Sequence, residues 1–270
     1  DRIVIPSPPR NKGVATMSTC RERISLAHAV GAREIIRPYL SPTPLRQYAS
    51  LNRHIGAQVY IKHENHNPTG TFKIRGGITL MHHLINNGVS GVITYSTGNH
   101  GASVAASASM FGLSAVVVVP EDSNPLKVQT IKDAGADLVE YGKDFEAAGR
   151  KVAQLVEERG LYFVHPANEP HLINGVGTEF LEIIEMVPDL DVMIVPIGAG
   201  SEAAAAITVL KQIRPEIEII ATQAESSQAA CMSWKAGEIV TAPRTRKTAG
   251  TIAINPTKDE CRAERVFSLR

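Results

Sequence analysis

Two hydrophobic periods alternate along this chain. Short runs of β-branched and apolar residues, each closed by a turn residue or a breaker, read as buried strands. They are GVITYS (Gly91–Ser96), SAVVVVP (Ser114–Pro120), DLVEY (Asp137–Tyr141), LYFVH (Leu161–His165), DVMIVPIG (Asp191–Gly198) and EIEIIAT (Glu216–Thr222). Segments with helical spacing lie between them. Phe145, Ala148, Val152, Leu155 and Val156 fall on one helical face, with Gly160 as a stop. Ser201–Ile213 is Ala-rich, with Ser201 as a candidate cap. Strand and helix in alternation predict an α/β fold with parallel strands and right-handed crossovers. Strands apolar along their whole length predict a sheet covered on both faces. Ligands in such folds collect where strands end and helices begin.

Composition narrows the class. The 270 residues are 43% hydrophobic, enough for one large or two modest domains. The 28 basic and 27 acidic residues leave a net charge of +1 with no run of either sign, which argues against nucleic acid or a membrane surface as partner. No apolar run reaches membrane-spanning length. Cys20, Cys231 and Cys261 are odd in number, far apart and without C-x-x-C spacing, so a reducing, cytoplasmic setting is expected. Residues 1–16 are Pro-rich and lack helical period, and read as a disordered arm or a remnant ahead of Met17.

Three short stretches carry candidate chemistry. In NPTGTFKIRGG (Asn67–Gly77) a single amine, Lys73, follows Phe72 among small, flexible residues. In YSTGNHG (Tyr95–Gly101) a strand passes through Ser96, Thr97, Gly98 and Asn99 into a helix starting near His100. The exposed N–H groups of a helix N-terminus suit a carboxylate or phosphate. Taken alone, the spacing is that of an ordinary capped helix. In VPIGAGSEAAAA (Val195–Ala206) Gly198, Ala199, Gly200 and Ser201 open a second helix and could cradle a phosphate. No G-K-[ST] follows, and Ala203 stands where G-x-G-x-x-G needs its third glycine, so a nucleotide-binding dehydrogenase is weakly supported. Glu202 suits the helix dipole but repels a phosphate, so this turn alone reads equally as a plain helix start. An amine, a carboxylate site and a phosphate site together fit pyridoxal 5'-phosphate acting on an amino acid. Lys73 would form the Schiff base with it, and Phe72 would wall its ring.

These residues resemble the serine/threonine dehydratase (threonine ammonia-lyase) and serine racemase family of fold type II, tryptophan-synthase-β-like pyridoxal-phosphate enzymes. TPL (Thr43–Leu45), PTGTFKIRGG (Pro68–Gly77), STGNHG (Ser96–Gly101), GADLVEYG (Gly135–Gly142), HPANEP (His165–Pro170), GVGT (Gly175–Thr178) and VPIGAG (Val195–Gly200) follow the family's order. The resemblance implies two parallel-sheet α/β domains with the cofactor between them. Residues 17–89 with 169–270 would form the large, cofactor-binding domain and residues 90–168 the small one. It implies Lys73 as the cofactor lysine and the base that moves the α-proton, and Asn99 as partner of the cofactor's 3-hydroxyl. The backbone of Ser96, Thr97, Gly98, Asn99 and His100 would clamp the substrate carboxylate, and Gly198, Ala199, Gly200 and Ser201 would hold the phosphate. The activity implied is β-elimination of L-threonine or L-serine to a 2-oxo acid and ammonia, in a cytoplasmic homodimer.

The chain departs from the family in four places. Ala199 and Glu202 interrupt a phosphate loop usually richer in glycine. Thr97 stands where racemases carry a serine, and its stiffer side chain favours a dehydratase. Glu225 matches a cation ligand of some relatives, but Cys231 stands where a second acid is expected, so no metal site is predicted. His63, His66, His82 and His83 read as surface histidines. After Thr248–Ala253 the sequence INPTKDECRAERVFSLR leaves the family pattern before the residue that faces the pyridine nitrogen, and reads as a shortened end. The alternatives are a dehydratase of a related hydroxylated amino acid, as in hydroxyectoine breakdown, a serine racemase, or a truncated form with impaired catalysis.

Overall fold

The structure is a computed structural model and describes residues 24–223, 228–238 and 240. The arm 1–16, Met17, Cys20, Glu225, Cys261 and the segment from Thr248 onward lie outside the described residues.

The described chain is α/β, with parallel sheets and flanking helices. Its main sheet has four parallel strands in the order β5-β4-β3-β6: β3 (Gly91–Tyr95), β4 (Ser114–Val119), β5 (Asp137–Glu140) and β6 (Tyr162–Phe163). Alternate side chains leave opposite faces of a strand. Val92, Ala115, Val117 and Val119 therefore pack towards α4 (Asn99–Met110) and α5 (Pro125–Asp133). Ile93, Val116 and Val118 pack on Ala148, Val152 and Leu155 of α6 (Phe145–Arg159). Asp144 caps α6 by accepting from Ala147 N–H at 2.8 Å, and Gly160 ends it at φ +65°.

Around this sheet lie α1 (Leu26–Ile36), α2 (Ala49–Ile55), α3 (Lys73–Asn86), and a small antiparallel pair, β1 (Leu45–Gln47) and β2 (Tyr60–Lys62). Then come α7 (Pro170–Met186), a parallel pair, β7 (Val192–Pro196) and β8 (Glu218–Thr222), with α8 (Ser201–Ile213) between them, and α9 (Ala229–Ala236). The largest core cluster joins α7, α8, β7 and β8 through Phe180, Val209, Leu210, Ile217 and Ile219.

The β7–β8 pair corrects one expectation. Its inner face is packed, but Ile194 is 64% and Ile220 40% exposed, so among the described residues only one face is covered. The apolar run in β7 is continuous in sequence, but helices α7 and α8 pack against only one side of it. A second correction concerns α8. Ser201 is its first residue, not its cap, and the cap position belongs to Gly200 at φ +96°. No described helix is long and apolar enough to cross a membrane.

Helices α3 and α7 cross at very close range, and this fixes the start of α3. A Cβ on Gly175 would come within 2.5 Å of the Arg75 carbonyl oxygen, and one on Gly76 within 2.6 Å of the Leu172 carbonyl oxygen. Both obstacles are backbone, so the crossing requires glycine on each helix.

Candidate active site

Lys73 is the first residue of α3, and three contacts hold it there. Ser103 of α4 donates through Oγ to the Lys73 carbonyl at 2.7 Å, tying the two helices together. Lys73 N–H points to Thr71 Oγ1 at 3.5 Å. At the other end of the side chain, Nζ donates to Ser201 Oγ at 2.8 Å and lies 5.0 Å from the centre of the Phe72 ring. Lys73 and Ser201 are 128 positions apart, so this bond is what joins the lysine motif to the start of α8.

The lysine is set up to lose its proton. Burial pushes the Lys73 amine down to about 8, against the opposing pull of the Glu202 carboxylate. At pH 7.5 an amine with a pKa of about 8 is about one-quarter neutral, whereas at the ordinary value of 10.5 about one in a thousand would be.

Two helix N-termini flank this region. β3 ends at Tyr95, and Ser96–Gly98 lead into α4; β7 ends at Pro196, and Ile197–Gly200 lead into α8. The cap residues are glycines, Gly98 and Gly200, and neither helix start is satisfied by a side-chain cap. The first-turn N–H groups are therefore available to an anion. Both glycines face open space: a Cβ on Gly98 would meet only Lys127 Nζ at 4.0 Å, and one on Gly200 nothing within 4 Å. Ser96 Oγ accepts from Gly98 N–H at 3.2 Å and shapes the first turn.

The second position of each helix carries an ionisable residue, the buried His100 in α4 and the half-buried Glu202 in α8. His100 donates from Nε2 to the Val164 carbonyl at 3.3 Å; burial, aided by the nearby Lys73, drives its pKa down to about 3, so it is neutral. Glu202 is pushed up to about 7 by burial, with Glu64 adding to the rise and Lys73 opposing it. Thr97 is half-buried and Asn99 exposed, and among the described residues no hydrogen bond joins either to Lys73. The structure thus brings Phe72, Lys73 and Ser201 together directly, and sets His100 close by. Gly198 and Ala199 lie in the turn that delivers Ser201.

A network absent from the sequence reading supports the lysine. Arg75 is only 1% exposed. Its guanidinium reaches both Glu64 oxygens at 2.8 Å and the two Glu182 oxygens at 2.6 and 2.9 Å. Glu182 also pairs with Lys62, and Glu64 accepts from Thr43 Oγ1 at 2.5 Å. Burial alone would raise Glu64, but the hydrogen bond and charge of Arg75, with the Thr43 hydroxyl and the Lys62 charge, together outweigh it and hold the carboxyl below its usual value. Arg75 lies two residues from Lys73, so this network fixes the first turn of α3. One sequence signal was available: an arginine directly followed by two glycines inside an amphipathic helix. Nothing in the sequence points to Glu64 and Glu182 as its partners.

Glu179 of α7 was also missed. It is 5% exposed, and its Oε2 has no hydrogen-bond partner among the described residues. Burial raises its pKa well above the ordinary value, and the Glu64 and Glu202 charges add to that. Its signal is one of two acids, Glu179 and Glu182, within the largely apolar stretch GVGTEFLEII. Among the described residues no group of three His, Cys, Asp or Glu could hold a metal ion.

The donor set fits pyridoxal phosphate. An amine with a lowered pKa lies beside the uncapped start of α8, and the turn before Lys73 itself contains a buried hydroxyl, Thr69 Oγ1, without a protein partner among the described residues. Glu202 is the one group whose charge opposes a phosphate there.

The family model described as pyridoxal-phosphate dependent enzyme matches residues 36–266. An L-threonine ammonia-lyase of Geobacter sulfurreducens is 36% identical over 224 residues, covering 83% of this chain and 56% of the relative. A serine racemase of Oryza sativa is 34% identical over 219 residues, covering 81% of this chain and 65% of the relative. The chain thus spans between half and two-thirds of the length of these relatives. Among solved structures, maize serine racemase superposes with a TM-score of 0.80 at 32% identity, over 83% of this chain and 68% of that one.

Proposed function

The chain belongs to the pyridoxal-phosphate dependent enzymes, and from that premise we propose that it is an ammonia-lyase for L-threonine and L-serine. The reaction removes the α-proton and the β-hydroxyl and, after hydrolysis, gives a 2-oxo acid and ammonia. When bound, pyridoxal phosphate supplies an electron sink for the charge that develops at the substrate α-carbon.

The chain's own residues would divide the remaining tasks. Lys73 would hold the cofactor through Nζ and, once released and neutral, take the α-proton. Its lowered pKa matches that task, because a base must spend an appreciable fraction of its time unprotonated at working pH. Ser201 would orient Nζ, and the first-turn N–H groups of α8 with Gly198–Ser201 would hold the phosphate. Phe72 would cover the ring. Asn99 would bond the cofactor's 3-hydroxyl. Ser96–His100 would bind the substrate carboxylate at the N-terminus of α4, where the neutral His100 leaves charge balance to the backbone dipole. The Arg75 network would keep Lys73 in register with both helix starts.

The observation that carries this reading is the 2.8 Å bond from Lys73 Nζ to Ser201 Oγ, which joins the amine to the anion-binding turn. The test is an assay of the protein with pyridoxal phosphate and L-threonine, measuring 2-oxobutanoate and ammonia together. Equal amounts of both support the lyase reading, and neither product at any pH from 6.5 to 8.5 contradicts it. A racemase reading rests on the likeness to the rice and maize enzymes. Chiral analysis of L-serine from the same assay separates the two: D-serine without 2-oxo acid means racemase.

A further inference from the structure

The charges around the start of α8 do not balance, and the imbalance points to a proton. Arg75 and Lys62 are matched by Glu64 and Glu182, so that network is neutral within itself. Two acids remain, the buried Glu179 and the half-buried Glu202, facing a single base, Lys73. Glu179 has an oxygen with no partner, as a carboxyl that keeps its proton would. Glu202 sits in the first turn of α8, directly after Ser201, at the backbone donors that suit a phosphate. A charged Glu202 and a phosphate dianion cannot share that turn without strong repulsion.

We propose that binding of the cofactor's phosphate at Gly198–Ser201 is coupled to uptake of one proton by Glu202, so that loading of the site is controlled by pH. This rests on the functional reading above. The ionisable groups facing Glu202 are Lys73 on α3, Glu64 in the turn before it and Glu179 on α7. Strand β7 carries none, Glu218 of β8 is exposed, and Arg33 of α1 is paired with Glu185. Lys73 is the only base in the group. Binding of the cofactor would bring a phosphate dianion to the turn beside Glu202, and that charge favours the protonated carboxyl.

The sign is explicit. Glu202 is protonated below about pH 7, so below that value the phosphate finds the site ready. Above it, binding must draw a proton from solution, and affinity falls as pH rises. With a free-state pKa of about 7, the loss between pH 6.5 and 8.5 is about 25-fold.

The test titrates pyridoxal phosphate and pyridoxal, which lacks the phosphate, into the protein at pH 6.5, 7.5 and 8.5 and follows absorbance. Both ligands need a neutral Lys73, so the ratio of their dissociation constants cancels that titration. The ratio should rise about 25-fold with pH in the wild type, remain flat in Glu202→Gln, and rise again in Glu202→Asp. Calorimetry of the wild type in two buffers of different ionisation enthalpy should show about one proton more taken up with pyridoxal phosphate than with pyridoxal at pH 8, the Lys73 proton being common to both. A flat ratio in the wild type, an equal slope in Glu202→Gln, or equal proton uptake with the two ligands overturns the proposal while leaving the functional reading intact. Failure of both ligands to bind at every pH overturns both.

Discussion

Helices α4 and α8 begin on a shared plan but with different first turns, Asn99-His100-Gly101 and Ser201-Glu202-Ala203. Each follows a parallel strand, each has a glycine at its cap, extended at Gly98 and left-handed at Gly200, and each lacks a side-chain cap. Each carries an ionisable residue at its second position, the buried His100 in α4 and the half-buried Glu202 in α8. Burial favours the neutral form of both. For the histidine that takes its pKa to about 3, and the residue is neutral throughout the physiological range. For the glutamate it reaches only about 7, and the residue changes charge within that range. The backbone supplies anion donors at both turns, but the side chain at the second position decides at which pH an anion is welcome. The α4 turn suits a carboxylate at any working pH. The α8 turn suits a phosphate best on the acid side of neutrality.

The largest predicted effect comes from removing the group that both turns face. Lys73→Ala should abolish release of ammonia and 2-oxo acid, measured with saturating L-threonine, while far-UV circular dichroism stays that of the wild type. Next in size is the support beneath it. Arg75→Met leaves Glu64 and Glu182 buried without their cation, and should cost about 3–5 kcal/mol in urea unfolding. The comparison itself is sharpened by making the first turn resemble the second. His100→Glu should give the substrate KM a pH dependence it otherwise lacks, rising about ten-fold from pH 6.5 to 8.5. An unchanged KM profile would mean that the α4 turn does not receive the carboxylate. The smallest effect is expected from Ser201→Ala. Loss of the bond to Lys73 Nζ should weaken cofactor affinity by about 0.5–1.5 kcal/mol, read by absorbance titration at pH 7.

Much of this arrangement was legible in the sequence, and the parts that were not have a common cause. Strands β3 and β4 announce themselves because each is a β-branched run packed on both sides. The two glycine turns and Lys73 stand out because small residues cluster where a backbone must approach a ligand. The exposed face of β7 was misread because an apolar run does not say how many sides will be packed, and Ile194 lies on the open one. Ser201 was read as a cap because serine commonly serves as one, yet its hydroxyl is used across the fold on Lys73. Arg75, Glu64 and Glu182 are not legible because their partners are distant in sequence: 11 positions separate Arg75 from Glu64, and 107 separate it from Glu182. Local pattern carries no record of such pairings.

The central claim is that Lys73 is the group to which the cofactor attaches. The most direct test is to incubate the protein with pyridoxal phosphate at pH 7, reduce with borohydride, digest, and locate the added mass by mass spectrometry. The account predicts one pyridoxyl group, on the peptide that contains Lys73, and its loss in Lys73→Ala. Absence of any adduct, or adducts spread over the exposed lysines, would contradict it.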